Sequence, residues 1–197
     1  MDGTVIVKYN AGNIQSVLYA LERIGEQAQV TDDHERIRQA KRVIFPGVGE
    51  ASTAMQYLRE RQLDQLLKEL RQPVLGICLG MQLMCRHSEE NDTECLGIFD
   101  EPVKRFSPES SGVKVPQIGW NRVDSTSSAL FDGIPPGSFF YFVHSYYAAR
   151  GPHTIGVTDY IIPYSAALHQ GNFYGVQFHP EKSAEAGEKL LKNFITL

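Results

Sequence analysis

A chain of 197 residues, 42% of them hydrophobic and 21% charged, is large enough for one buried core and has an ordinary globular composition. Its formal net charge of −4 gives no basic field for nucleic acid and no polybasic segment for a membrane surface, and no apolar run approaches the roughly 20 residues of a membrane span. Three cysteines, Cys78, Cys85 and Cys95, are too sparse and odd in number for a disulfide scaffold, and no spacing is that of a Cys-x-x-Cys metal or redox pair, so a reducing cytoplasm without a metal site is expected.

Thr4-Val5-Ile6-Val7 has no charged leader segment before it and reads as a first strand over residues 4–8. Ile14, Val17, Leu18 and Leu21 recur at helical spacing within 13–24. Strands follow at 28–31 and 42–45, the second ended by Pro46-Gly47, then helices at 51–58 and 63–70. A compact apolar strand covers 73–77, and a helix resumes over 80–87. Such alternation implies right-handed βαβ units and a parallel sheet covered on both faces. Beyond Gly97 come short strand-like runs at 113–115, 122–123, 139–143, 154–157 and 174–178, several of which should pair antiparallel, and a last helix over 184–194. Residues 89–93 and 106–112 are polar and flexible in composition, and neither is long enough for a linker. The expected fold is a single α/β domain over 1–197: a mostly parallel central sheet flanked by helices, with antiparallel strands added in the second half.

Val74-Leu75-Gly76-Ile77-Cys78-Leu79-Gly80 is a buried strand running through Gly-x-Cys-x-Gly into a helix. That is the pattern of a nucleophile elbow, in which glycines permit a tight turn and the central side chain is strained and exposed. A helix N-terminus there favours a thiolate, and the Leu79 amide is placed to donate to an oxyanion. Far downstream, Tyr174-Gly175-Val176-Gln177-Phe178-His179-Pro180-Glu181 ends a strand in His-Pro-Glu. In an extended segment residues i and i+2 point the same way, so Glu181 can orient the His179 imidazole toward Cys78. Phe45-Pro46-Gly47-Val48-Gly49 is a glycine-rich turn of the kind that bares amides for a tetrahedral oxyanion.

In this order, the three elements resemble a class I (triad) glutamine amidotransferase domain over essentially the whole chain. Gly76-Ile77-Cys78-Leu79-Gly80-Met81-Gln82, Gly119-Trp120-Asn121, Tyr141-Phe142-Val143-His144-Ser145-Tyr146 and Gly175 through Ser183 resemble, within that family, the glutaminase subunits of imidazole glycerol phosphate synthases of histidine biosynthesis. The resemblance implies Cys78 as nucleophile, His179 as general acid/base and Glu181 as orienter, with Leu79, Val48 and Gly49 supplying oxyanion amides. It implies that Gly49, Gln82, Ser145 and Tyr146, with Glu90 as an addition, hold the amino-acid end of L-glutamine. No cofactor is implied. The implied partner is a separate cyclase chain built as a (β/α)8 barrel, which receives ammonia. Asn13, Trp120, Asn121, Tyr141 and Lys182 are expected at that interface, with Lys182 turned away from His179 and Glu181. One loop departs from the family's Asp-x-Gly-x-Gly-Asn. It reads Lys8-Tyr9-Asn10-Ala11-Gly12-Asn13 and is expected to be variation at the interface rim. A thiol hydrolase acting on γ-glutamyl or other peptides, or a non-catalytic binding module, are the alternative readings.

Overall fold

The computed structural model describes residues 3–10, 12–108, 112–125 and 128–197. Five strands form the parallel centre: β1 (Thr4–Val7), β2 (Ala28–Thr31), β3 (Arg42–Gly47), β4 (Val74–Cys78) and β13 (Phe173–Val176), in the order β2-β1-β3-β4-β13. Past β13 the sheet turns antiparallel through β12 (Pro163–Gln170), β10 (Tyr146–Ala148) and β7 (Pro102–Arg105), and ends on β5 (His87–Ser88) and β6 (Thr93–Glu94). A branch from β12 carries β11 (Thr154–Asp159), then β8 (Gln117–Ser125) and β9 (Ser138–His144). Helices α1 (Ile14–Arg23), α2 (His34–Gln39), α3 (Ala51–Glu60), α4 (Leu63–Glu69), α5 (Leu79–Met84) and α6 (Ala184–Phe194) cover the parallel part. No helix among the described residues is long and apolar enough to cross a membrane.

Successive strand residues face opposite sides, and the two cores are sorted accordingly. Val5, Val7, Val43, Phe45 and Val74 join Met55 and Leu58 of α3 and Leu66 and Leu67 of α4 in one cluster. Ile6, Ile44, Leu75 and Ile77 join Val17 and Leu21 of α1 and Leu190 and Leu191 of α6 in the other. Strands buried on both faces read as unbroken apolar runs, which is why β1, β3 and β4 are visible in the sequence.

The expected elements that differ do so for identifiable reasons. The helix expected over 80–87 stops at Met84, because Leu96, Gly97 and Ile98 bring their amides to the carbonyls of Leu83, Cys85 and Met84 at 2.8, 2.8 and 2.9 Å. Residues 113–115 are not a strand; β8 begins only after Pro116, which has no amide to donate. Six helices and strands were not anticipated: α2, β5, β6, β7, β10 and β12. Helix α2 is six residues long, buries only Ile37, and is announced only by its cap, Asp33, whose carboxylate accepts from the Arg36 amide at 2.9 Å. Strand β12 contains Ala166-Ala167, weak strand formers that tertiary burial overrides. Residues 109–111 of the stretch expected to be flexible lie outside the described residues.

Helix α5 lies unusually close to the sheet. A Cβ on Gly76 would sit 2.4 Å from Met84 Cε, and one on Gly175 2.5 Å from Met81 Cγ. These two glycines are registered neighbours on β4 and β13, so they form a single floor under the helix. On the helix itself, a Cβ on Gly80 would stand 1.8 Å from the Phe45 carbonyl oxygen. Gly80→Ala should therefore cost about 3 kcal/mol in urea unfolding, from overpacking against backbone that cannot yield. Gly3→Ala, whose added methyl would meet only the Gln27 carbonyl at 3.7 Å, should stay within about 0.5 kcal/mol of the parent.

Candidate active site

Cys78 joins β4 to α5 with φ 53° and ψ −111°, a conformation that a residue with a side chain holds only under constraint. The expected glycine-permitted turn is thus realised differently. The positive φ belongs to Cys78, while Gly76 and Gly80 serve for clearance. The thiol is also not exposed as expected: the residue is 6% accessible, because α5 and β9 close over it. It lines a cavity of about 350 Å³. The same cavity is walled by Val48, Gly49 and Leu79, the expected oxyanion donors, and by Gln82, Glu90, Ser145 and Tyr146, the expected substrate contacts. Eight residues from distant parts of the sequence therefore meet in one space.

Each wall residue is held by its own partners. Gln82 Nε2 donates to the Tyr146 carbonyl at 2.8 Å and to Gln177 Oε1 at 2.9 Å. Glu90 Oε2 accepts from the Ala51 amide at 2.8 Å and so caps α3 from outside its own segment. Burial pushes the Glu90 pKa up, against the Ala51 hydrogen bond, and the charge of Glu50 adds to the rise.

His179 and Glu181 are buried beside Cys78. His179 Nδ1 lies 2.7 Å from Glu181 Oε1, so Nδ1 carries the proton donated to the carboxylate. Its Nε2 is buried without a hydrogen-bond partner. Burial disfavours the charged ring, but Cys78 first and Glu181 second outweigh it and push the His179 pKa up to about 10. The reason expected for the His179–Glu181 contact needs correction. Pro180–Lys182 is a 3-10 turn, not an extended segment, and the turn brings the side chains together. The turn is stitched to β9: the His179 amide donates to the Tyr141 carbonyl at 2.9 Å, and Ser183 Oγ accepts from the Tyr141 amide at 2.9 Å.

The expected interface residues divide. Asn13 reaches Glu181: at φ 73°, just before α1, it directs Nδ2 onto Glu181 Oε1 in a short hydrogen bond. Trp120, Tyr141 and Lys182 do cluster, with an edge-to-face ring contact of 6.1 Å and the Lys182 ammonium 6.0 Å from the Tyr141 ring. Asn121 does not join them, because strand alternation turns it to the other face of β8, where Nδ2 donates to the Asp159 carbonyl at 2.7 Å. The departing loop exposes Lys8, Asn10 and Gly12 and also reaches inward. Tyr9 is buried, with its hydroxyl where a Cβ on Gly47 would be, and a Cβ on Gly12 would lie 3.1 Å from Val48 Cγ2. The loop follows β1, and β1 neighbours β3, so it backs onto the Gly47-Val48-Gly49 turn. Ala11 lies outside the described residues.

Sequence reasoning missed Pro116, Val143 and His144 in the cavity wall and Gln177 beneath it. His144 and Gln177 lie within quoted motifs, but nothing local marks them. No group of three or more His, Cys, Asp or Glu that could hold a metal occurs among the described residues.

His144 Nδ1 is 2.7 Å from the Tyr146 carbonyl and Nε2 3.1 Å from the Tyr164 hydroxyl. Burial lowers its pKa from 6.5 to about 4, against the hydrogen bond to Tyr146. Between those values the unfolded ring binds a proton that the folded ring refuses. Its stabilising contribution is therefore complete above pH 6.5 and lost as pH falls toward 4. Urea unfolding at the two ends of that window should show a loss of about 3 kcal/mol from this group. His144→Asn should lack that part of the acid destabilisation.

A family model described as glutamine amidotransferase class-I matches residues 5–197. Imidazole glycerol phosphate synthase subunit HisH of Bacteroides fragilis (strain ATCC 25285) is 59% identical to this chain over 192 residues, 98% of both chains. Proteins of the same name from Bacteroides thetaiotaomicron and Escherichia coli K12 are 58% and 47% identical, again over 98% of both chains. A solved structure described as a glutamine amidotransferase superimposes with a TM-score of 0.73 at 20% identity over 98% of both chains, which shows a shared fold.

Proposed function

The chain belongs to the class I glutamine amidotransferase family, and we propose that it is the glutaminase subunit of an imidazole glycerol phosphate synthase in histidine biosynthesis. Residues 1–197 act as one cytoplasmic domain that hydrolyses L-glutamine to L-glutamate and ammonia without a cofactor. The observation that carries this reading is the strained Cys78 on a glutamine-sized cavity with the His179–Glu181 pair buried beside it.

In the proposed reaction the Cys78 thiolate adds to the side-chain carboxamide carbon of glutamine. The oxyanion is received by the amides of Leu79 and of the Val48-Gly49 turn. His179 gives its Nε2 proton to the departing nitrogen, so ammonia leaves and a γ-glutamyl thioester remains. The ring then takes a proton from water, the resulting hydroxide adds to the thioester, and collapse releases glutamate and restores the thiolate. Glu181 keeps Nδ1 protonated, and Asn13 fixes Glu181 from the other side. Both protons of Gln82 Nε2 are engaged, which leaves its Oε1 to accept from the substrate ammonium. Gly49, Ser145, Tyr146 and Glu90 complete the grip on the amino-acid end.

The partner reading is supported by the outer face of β8 and β9. Register pairs Ile118 with Val143, Trp120 with Tyr141 and Arg122 with Phe139 on that face. Ile118, Trp120 and Phe139 are 63%, 53% and 56% accessible, an apolar surface of the kind that marks an interface. Val143 belongs to both places: it lines the cavity, and its carbonyl is 4.0 Å from Cys78 Sγ. Ammonia released at Cys78 thus has an apolar exit beneath a docked (β/α)8 cyclase, with Trp120, Tyr141 and Lys182 at the seam. Glycines on both sides of Val48 allow one peptide rotation to make or remove an oxyanion donor when the cyclase docks.

The test is glutamine hydrolysis with and without the cyclase and its nucleotide ligand. Turnover should rise on complex formation by about 10²–10³-fold, the usual effect of one oxyanion donor. Cys78→Ala should abolish turnover, and His179→Ala should reduce it about 10²–10⁴-fold, with complex formation intact. Wild-type turnover in Cys78→Ala would refute the assignment. Separately, Trp120→Ala should weaken cyclase binding about 30-fold in titration calorimetry, as for an aromatic hot spot, and leave Cys78 chemistry in the free chain unchanged.

A further inference from the structure

Gln177 has no part in the reaction described so far. It is fully buried, one residue beyond β13. Strand β13 runs parallel to β4 with Val176 opposite Ile77, so the next step sets Gln177 beside Cys78. Its Nε2 donates to Cys78 Sγ at 3.7 Å. Its Oε1 accepts from Gln82 Nε2 at 2.9 Å. That second contact fixes the amide's orientation. Gln82 Nε2 is a donor, so the Gln177 atom facing it is the oxygen, and the nitrogen faces the sulfur. The Gln177 main-chain amide is seated on the Ala166 carbonyl at 2.8 Å.

A methionine would fill similar volume without burying a polar amide. What glutamine adds is a neutral N–H donor aimed at a sulfur that must carry negative charge to react. A glutamate there would set a second negative charge against the thiolate. We propose that Gln177 is a positioning residue: its Nε2–H holds the Cys78 thiolate, and through Gln82 it ties the nucleophile to the wall of the glutamine cavity. One continuous run of hydrogen bonds, from Tyr146 through Gln82 and Gln177 to Cys78, then sets where the substrate lies and where the sulfur points. The proposal rests on Cys78 being the nucleophile.

The experiment uses the complex with the cyclase and reads three quantities for wild type, Gln177→Met and Gln177→Glu. They are the rate of Cys78 alkylation by iodoacetamide without glutamine, followed by peptide mapping; kcat and KM for glutamine; and the thermal midpoint. Loss of a hydrogen bond to a charged group should slow alkylation in Gln177→Met by about 10-fold or more and lower kcat by a similar factor. Gln177→Glu should be slower still. KM should change less than kcat, and the midpoint of the methionine variant should not fall. An unchanged alkylation rate in Gln177→Met overturns the proposal, even if kcat drops, because Gln177 then only supports Gln82. If Gln177→Met does not fold, Gln82→Met serves: it removes the donor that orients Gln177, and an unchanged Cys78 alkylation rate there also overturns the proposal. Wild-type protein labelled at Cys85 or Cys95 but not Cys78 instead sinks the glutaminase reading itself, and the proposal with it.

Discussion

Everything at the site depends on one register, that of β4 between its two parallel neighbours. Gly47 of β3 stands opposite Cys78 on one side, and the step past Val176 of β13 stands opposite it on the other. This places Cys78 at the C-terminal edge of the sheet, where open α/β sheets form their binding crevices. A shift of one residue would turn Cys78 to the other face and would put side chains where α5 needs hydrogen atoms. The close seat of α5 on Gly76 and Gly175, with Gly80 against Phe45, leaves little freedom at the junction. The strain at Cys78 is thus held by packing, consistent with the rule that such backbone persists only where its surroundings over-determine it.

The chemistry is then a matter of burial and partners. An isolated buried imidazole would stay neutral, as His144 does with its pKa lowered by burial. His179 is also buried, yet is driven the other way because Cys78 and Glu181 stand against it. Two histidines of one cavity region are therefore set to opposite proton states by neighbours alone. A buried charged pair contributes little net stability once desolvation is counted, so the His179–Glu181 pair is better understood as fixing a tautomer than as holding the fold.

Cavity and outer apolar face share a strand. Along β9, alternation buries Phe140 and Phe142 in the core and turns Tyr141 and Val143 to the face that carries Trp120. The same strand accepts the His179 amide at Tyr141. Any partner that bears on Tyr141 and Trp120 therefore presses on the segment carrying His179, a short mechanical route from that outer face to the cavity.

The sequence by itself determined the parallel half of the sheet, the elbow at Cys78, the His-Pro-Glu pair and the two glycines around Val48. Each is encoded locally, in an apolar run, a turn residue or a short spacing. Only the tertiary structure decided the rest. It ended α5 at Met84 through amides from 96–98, and it made a strand of the alanine-bearing β12. It sent Asn13 to Glu181 and turned Asn121 away from Trp120. It also set Gln177, which is 99 residues away in the chain, against the Cys78 sulfur. These contacts depend on register and on which face a residue occupies, and a single polar residue in a sequence carries no mark of the partner that a distant strand will bring to it.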